Sequence, residues 1–322
     1  MKFVEVNVKR IVGMLSAVGI LLSLVTSSQA TVKQSVPAKA ALVTEASGDV
    51  LYSKYPNARL APASTVKLMT AMVTLDNLRP EELVRISRNA SRVKTIPPGI
   101  CPDEEMTIAD LLHLALMKSI NSAAVALAEA TAGTEDAFAV LMNRKAHDLG
   151  ARDTLFANAS GLPKGVQYST VHDLTLIMRA ALSYPLIRDI LATKAYTVRT
   201  AAGREIFLEN SNQLLWQEET LIVGKTGYTG NARHCFVGAV ETGRGLVFTA
   251  VLGARSRNSL WRAASMLADM GAHPERAEAF ESFSKSRAPR RPVAVRNKPL
   301  TVNARQNSGI AEIQRSRLQG IF

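Results

Sequence analysis

The apolar positions of this chain change period along its length. Residues 40–53 form two apolar runs around Ala46-Ser47-Gly48-Asp49. That pattern predicts a β-hairpin turning near Ser47-Gly48-Asp49. Over residues 64–78, Val66, Met69, Val73 and Leu75 stand among good helix formers and predict a helix. Residues 107–149 are helical in pattern throughout. Thr107 precedes an acidic first turn and Leu111, Leu112, Leu114, Ala115 and Leu116. Ser122 to Ala132 is alanine-rich, and Glu135 to Leu149 carries Phe138, Leu141 and Met142 before a stop at Gly150. Asp173 to Ala192 predicts one or two further helices, broken near Pro185. Beyond Gly203 the apolar runs are short and separated by glycines: Leu221-Ile222-Val223, Cys235-Phe236-Val237 and Leu246 to Leu252. These read as strands. Trp261 to Met270 predicts a last amphipathic helix, stopped by Gly271.

Strands at both ends of the body with helices between them predict an α+β fold. One antiparallel sheet is built from both ends of the chain and flanked by helices, with an inserted helical region. With 322 residues and 47% hydrophobic content, the chain is ample for a large core. The first thirty residues are set apart. Lys2, Lys9 and Arg10 precede an apolar run from Ile11 to Val25, followed by Ser28-Gln29-Ala30. This is the layout of a signal peptide, so residues 1–30 are expected to be a leader and the protein to be exported, to the periplasm or another extracytoplasmic part of the envelope.

Charge sharpens the division. The formal net charge is +12, but residues 280–322 carry nine basic and two acidic side chains. The body, residues 31–279, is only mildly basic at net +3. The basicity therefore argues for a polar, disordered tail over 280–322 rather than for a nucleic-acid-binding domain. A peripheral membrane or anionic wall-polymer contact is expected of that tail. The histidines at 113, 147, 172, 234 and 273 lack ligand spacing, and two cysteines do not make a metal site, so no metal or cofactor is expected. Whether Cys101 and Cys235 pair is left open. His172-Asp173 reads as a helix start rather than a catalytic dyad.

Three short strings carry candidate chemistry: Ser64-Thr65-Val66-Lys67, Ser119-Ile120-Asn121 and Lys225-Thr226-Gly227. A serine nucleophile needs a base. Lys67 stands three residues after Ser64, one helical turn along on the same face. An ammonium is a poor base, but burial and a second cation lower its pKa, and Lys225 is the candidate cation. Each string alone is weak, since helix caps and tight turns contain such residues by chance. Their order and spacing together point to acyl transfer without a histidine triad.

At this point the chain resembles the low-molecular-mass penicillin-binding proteins, the D-alanyl-D-alanine carboxypeptidase family, over roughly residues 38–272. The resemblance runs through Ala61-Pro62-Ala63-Ser64-Thr65-Val66-Lys67-Leu68-Met69-Thr70-Ala71, Ala159-Ser160-Gly161-Leu162, Tyr168-Ser169-Thr170 and Asp173-Leu174. It continues through Asn210-Ser211-Asn212-Gln213-Leu214-Leu215, Gly224-Lys225-Thr226-Gly227-Tyr228-Thr229 and Val251-Leu252-Gly253-Ala254. It implies a serine β-lactamase/D,D-peptidase-like fold. It also implies that Ser64 is the acylated nucleophile and Lys67 its base, with Ser119 and Asn121 relaying protons and holding the substrate amide. Lys225 would supply electrostatics, and Thr226, Gly227 and Tyr228 would bind substrate. The backbone N–H groups of Ser64 and Tyr228 would form an oxyanion hole. Peptidoglycan stem peptides are the implied substrates and β-lactams the implied covalent inhibitors.

The chain departs from the family pattern in places. Ile120 stands where a small residue is common and is expected to narrow or reshape the cleft. Ser122 stands where an acid is common. The position of a carboxylate-binding arginine is occupied by Leu260, with Arg257 and Arg262 nearby. Only about 50 residues follow the body, too few for the β-rich second domain of many members. No Glu-x-x-Leu-Asn segment lies between Asn121 and Lys225, which argues against a class A β-lactamase. A D,D-endopeptidase cutting crosslinks remains an alternative, as does, in another class, a non-catalytic wall-binding or β-lactam-sensing protein.

Overall fold

The computed structural model describes residues 35–216 and 222–280. The expected leader at 1–30, Leu221 and the tail beyond Phe280 lie outside the described residues. The chain opens with the predicted hairpin, β1 (Ala40–Glu45) and β2 (Val50–Lys54). Gly48 takes φ +100°, a left-handed value that glycine adopts without a Cβ penalty, and the Ser47 hydroxyl donates to Asp49 at 2.8 Å. A 3₁₀ turn (Ala63–Val66) leads into α1 (Lys67–Leu75). The short strand β3 (Leu83–Arg85) is followed by α2 (Arg88–Arg92), and β4 (Glu105–Thr107) then pairs back onto β3.

The helical region follows: α3 (Ile108–Met117), α4 (Asn121–Ala132), α5 (Glu135–Asp148), α6 (Val171–Leu182) and α7 (Pro185–Ala192). Its boundaries follow capping chemistry. Thr107, Thr134 and Thr170 each accept a hydrogen bond from the backbone N–H three residues on. Pro185 opens α7 at a position where its missing N–H costs nothing. His172-Asp173 lies in the first turn of α6. Asp173 accepts from Asp153 N and Thr154 Oγ1 at 2.8 Å, a structural role.

A further hairpin, β5 (Ala195–Arg199) with β6 (Glu205–Glu209), precedes a 3₁₀ turn at Gln213–Trp216. The chain then forms β7 (Ile222–Thr229), β8 (Arg233–Thr242), β9 (Gly245–Ala254) and α8 (Arg257–Ala272). The main sheet has the order β2-β1-β9-β8-β7, with every pair antiparallel. Both ends of the chain thus build one sheet around a helical insertion. The fold is the expected α+β class.

The sheet is buried on both faces. Ala40, Leu42, Val237, Ala239, Ala250 and Leu252 pack with the helical insertion, in a core that includes Leu68, Met72, Leu174 and Met178. Their alternates Ala41, Val43, Phe236, Val240 and Val251 pack with Leu260, Ala263, Ala264 and Leu267 of α8. Two-sided burial explains why the central strands read as near-continuous apolar runs. Helix α8 differs from its sequence expectation. It starts at Arg257, capped by the Ser256 hydroxyl, and it runs through Gly271. A Cβ on Gly271 would lie 2.6 Å from a Val247 methyl, so this glycine serves close helix-to-sheet packing and is not a stop.

The paired glycines Gly224 and Gly238 face the Phe236 ring. A Cβ on either would come within 2.5–2.6 Å of ring carbons. The ring in turn meets Trp261 edge-on at 5.7 Å between centroids. Gly238→Ala should therefore destabilise the protein by about 1–3 kcal/mol through overpacking. Urea denaturation checks this; an unchanged midpoint would show that the ring moves freely.

Candidate active site

Ser64 lies on the 3₁₀ turn, after Ala63, whose φ is +50°. One turn on, Lys67 is fully buried, and its Nζ touches three oxygens. These are Ser64 Oγ at 2.8 Å, Asn121 Oδ1 at 2.7 Å and the Ser160 carbonyl at 2.6 Å. The Asn121 amide is oriented by its other end, where Nδ2 donates to the Lys94 carbonyl at 2.8 Å. Asn121 N donates to Thr95 Oγ1 at 3.0 Å, which satisfies the start of α4. Ser119 ends the preceding turn at φ +65°, a backbone value rare outside glycine and costing on the order of 1 kcal/mol.

The edge strand β7 closes the other side. Gly227 packs against the Ser64 turn so tightly that a Cβ there would sit 2.9 Å from Ser64 N and 3.1 Å from the Ala63 methyl. Thr226 Oγ1 and Ser211 Oγ share a hydrogen bond at 2.9 Å. Lys225 is fully buried, and its Nζ donates to the Thr226 carbonyl at 3.0 Å. Ser64, Ser119, Asn121, Ser211, Thr226, Gly227 and Tyr228 line one cleft of about 410 Å³, together with His234, Arg257, Leu260 and Trp261. The eight residues singled out in the sequence thus meet in one place: six line the cleft, and Lys67 and Lys225 lie buried beside it.

Burial sets the electrostatics. The Lys67 ammonium is destabilised first by desolvation and then by the charge of Lys225, which hold its pKa well below the ordinary lysine value; Glu135 opposes the shift. Desolvation alone pushes Lys225 down to about 7. His234 is lowered by burial and by its neighbours Arg257 and Arg233.

One expectation needs correction. Ile120 is fully buried in the main core and does not line the cleft, so its side chain does not narrow the cleft. Leu260, on the first turn of α8, is buried against the sheet with one surface on the cleft, whereas exposed Arg257, three residues earlier, lines the same cleft. Both cysteines are free: Cys235 is buried and Cys101 exposed.

Sequence reasoning missed the supports. The Ser160 carbonyl that meets Lys67 belongs to a loop fixed from all sides. Ala159 N donates to Glu135 at 3.0 Å, Thr70 donates to the Ala159 carbonyl at 2.7 Å, and Gly161 N donates to Asn158 Oδ1 at 2.7 Å. Gly161 takes φ +80°, and a Cβ there would meet the Ala63 carbonyl at 2.0 Å. Their only sequence signal was the Ala159-Ser160-Gly161-Leu162 string. Ser211 was likewise visible only as part of the Asn210–Leu215 string.

A family model described as D-alanyl-D-alanine carboxypeptidase matches residues 25–256. The chain belongs to this family. It is 36% identical to the D-alanyl-D-alanine carboxypeptidase DacB2 of Mycobacterium tuberculosis, over 70% of this chain and 78% of that one. It is 35% identical to a D-alanyl-D-alanine endopeptidase of Pseudomonas aeruginosa, over 69% and 73%. The match to DacF of Bacillus subtilis, at 33% identity, spans 67% of this chain but only 57% of that longer protein. Among solved structures, a D-alanyl-D-alanine carboxypeptidase of M. tuberculosis superposes with a TM-score of 0.70 at 33% identity, over 74% of this chain and 92% of that one. The Streptomyces K15 DD-transpeptidase gives 0.69 at 28%, over 74% and 98%.

The buried lysines make stability depend on pH. Because the folded pKa of Lys225 lies below its unfolded value, the unfolded chain binds more protons between about 7 and the ordinary lysine range, and stability rises with pH across that window. Lys225→Met removes this contribution. The variant should melt higher than the parent near pH 6, and the gap should shrink toward pH 10. Thermal melts at both values check this; a gap independent of pH would contradict the assignment.

Proposed function

We propose that this chain is a serine D,D-carboxypeptidase that removes the terminal D-alanine from peptidoglycan stem peptides and is acylated by β-lactams. The observation that carries the reading is the three-oxygen environment of Lys67. A neutral amine has two N–H groups and one lone pair. The Ser160 carbonyl and Asn121 Oδ1 are pure acceptors and take both N–H groups. The lone pair is then left for the Ser64 hydroxyl at 2.8 Å. The geometry suits a base poised to take one proton from one hydroxyl.

The reaction follows from these roles. Ser64 Oγ attacks the carbonyl carbon of the penultimate D-alanine while its proton passes to Lys67. The oxyanion forms against the backbone N–H groups of Ser64 and Tyr228, at the point where Gly227 lets the edge strand approach. The C–N bond breaks as a proton returns, through Ser119 and the lysines, to the departing amine. Water then attacks the ester carbonyl and gives a proton to Lys67, which passes it to Ser64 Oγ as the ester C–O bond breaks; the product leaves as a carboxylic acid that ionises in solvent. Asn121 holds the substrate amide, Lys225 contributes its field, and the Thr226–Ser211 hydroxyl pair faces the terminal carboxylate. Arg257 supplies the cation at the cleft rim that Leu260 does not.

A D,D-endopeptidase uses the same chemistry, and a relative of that name is as similar as the carboxypeptidases. Retention of the leader at 1–30 would anchor the enzyme and its removal release it; in either case we place it outside the cytoplasm. Among the described residues no helix is long and apolar enough to cross a membrane. The basic tail is proposed to hold the enzyme near anionic lipid or wall polymer.

Fluorescent penicillin should label the wild type and not Ser64→Ala; equal labelling of both would overturn the reading. Release of D-alanine from a monomeric pentapeptide, against cleavage of a crosslinked dimer, separates the two peptidase activities. Asn121→Asp places a carboxylate against Lys67 and raises its pKa. Acylation by penicillin should then appear only at higher pH than in the parent. A stopped-flow pH profile measures the shift, and an unmoved profile would argue against Lys67 as the base.

A further inference from the structure

A second cleft, of about 760 Å³, opens at the β8–β9 strand ends and has no lining residue in common with the active cleft. Four cations line it, Lys39, Lys54, Arg233 and Arg255, with the hydroxyl residues Ser35 and Ser259 and no acidic residue. Lys39, Arg233 and Arg255 are exposed and have no ion-pair partner among the described residues. Elsewhere on the described surface, Arg59, Arg85, Arg199, Arg204 and Arg276 each meet a carboxylate. Gathering Lys39, Arg233 and Arg255 in one lining raises the local potential and attracts anions.

The cleft is shaped by the backbone. The β8–β9 register slips between His234 and Phe236, so that two residues of β9 oppose Cys235 alone. At this bulge Gly253 takes φ +73°, and a Cβ there would meet Lys39 side-chain atoms at 2.7–2.9 Å. The absence of a side chain lets the Lys39 stem lie across β9. Lys39 N is fixed by the Leu252 carbonyl at 3.0 Å. On the other wall, Lys54 Nζ is held at 2.8 Å by both Ser35 Oγ and the Val36 carbonyl. Bulges re-aim the residues that follow them.

The two clefts are lined by neighbouring residues of the same strand ends. Arg233 directly precedes His234, Arg255 stands two residues before Arg257, and both His234 and Arg257 line the active cleft. His234 and Ala254 are paired across the two strands. The cations are spread along a space far wider than one small anion, which suits a ligand with several separated charges.

We propose that this cleft is an exosite for carboxylate groups of a polymeric wall substrate, those on stem peptides neighbouring the one held in the active cleft. The proposal rests on the D,D-peptidase reading and deepens it. The enzyme would favour polymeric, multiply anionic substrate over a free short peptide, with the preference expressed mainly in KM.

The test compares the full chain with Lys39→Gln/Arg255→Gln, two exposed positions outside the active cleft. One substrate is purified peptidoglycan stripped of phosphodiester polymers; the other is a short peptide ending in D-Ala-D-Ala with its remaining charges blocked. On the polymer, kcat/KM of the variant should fall about tenfold, the equivalent of ~1.4 kcal/mol, through KM. The parent's polymer activity should weaken with salt more steeply than the variant's. On the short peptide the two proteins should agree. Co-sedimentation with the insoluble polymer reads binding without catalysis, and the variant should pellet less. Equal losses on both substrates, or no loss on the polymer, would overturn the exosite. So would a parent preference that disappears when phosphodiester polymers are stripped, because the anion would then be phosphate. A parent that pellets through Lys39 and Arg255 yet releases no D-alanine would overturn the peptidase reading and leave the exosite standing.

Discussion

The architecture of the site depends on keeping one amine out of water. A buried ammonium loses its hydration, at an effective cost of several kcal/mol per ion. Lys67 is therefore either neutral or surrounded by oxygens, and here it has three oxygens supplied by three separate parts of the chain. The 3₁₀ turn gives Ser64, the start of α4 gives Asn121, and the 158–162 loop gives a carbonyl. Moving any one of them by an ångström breaks a contact of 2.6–2.8 Å. The supporting elements thus have little freedom. Thr95 and Lys94 pin Asn121; Thr70, Glu135 and Asn158 pin the loop.

Close approach is what lets these parts meet, and missing side chains make it feasible. Gly161 and Gly227 bring two backbone segments against the Ser64 turn. Neither contributes a functional group. Each sets a distance that a methyl group would prevent, so the nucleophile is positioned by backbone packing as much as by hydrogen bonds. The main sheet underneath is buried on both faces, which makes β7 a rigid edge although, among the described residues, it has a partner on one side only. An open edge on a rigid sheet is a ready template for an extended peptide.

Much of this was legible because the chemistry depends on residue type. Serine, lysine, asparagine and threonine at fixed spacing stood out from the chain, as did the helix that follows Thr107. What stayed hidden belonged to the backbone. The Ser160 carbonyl has no residue-type signature, and neither does the αL conformation of Ser119. That conformation lies behind the error over Ile120. A motif read as a string assigns its middle residue to the cleft, whereas the backbone between α3 and α4 leaves Ser119 and Asn121 on the cleft and buries Ile120 in the core. Gly271 misled for a related reason, since a glycine signals an ending or a close contact equally well. The β5–β6 hairpin was missed although its inward Val198, Ile206 and Leu208 alternate with outward residues. Exposed Phe207 blurs the period, and charged residues bracket the pair.

The start of α8 shows how a substitution at one position shifts a task to another. Leu260 faces the sheet and joins the apolar core with Ala263, Ala264 and Leu267. A charge there would need a partner in a region built from apolar atoms. Residues three apart share a helix face, so Arg257 lies above Leu260 on that face but at the solvent end of the helix. There the guanidinium stays hydrated and its exposure costs nothing. It also lies beside His234, whose proton affinity is lowered first by burial and then by the Arg257 charge. An arginine at the first turn therefore leaves Leu260 to the apolar core and puts positive charge on the cleft lining, followed in the neighbouring cleft by Arg255 and Arg233.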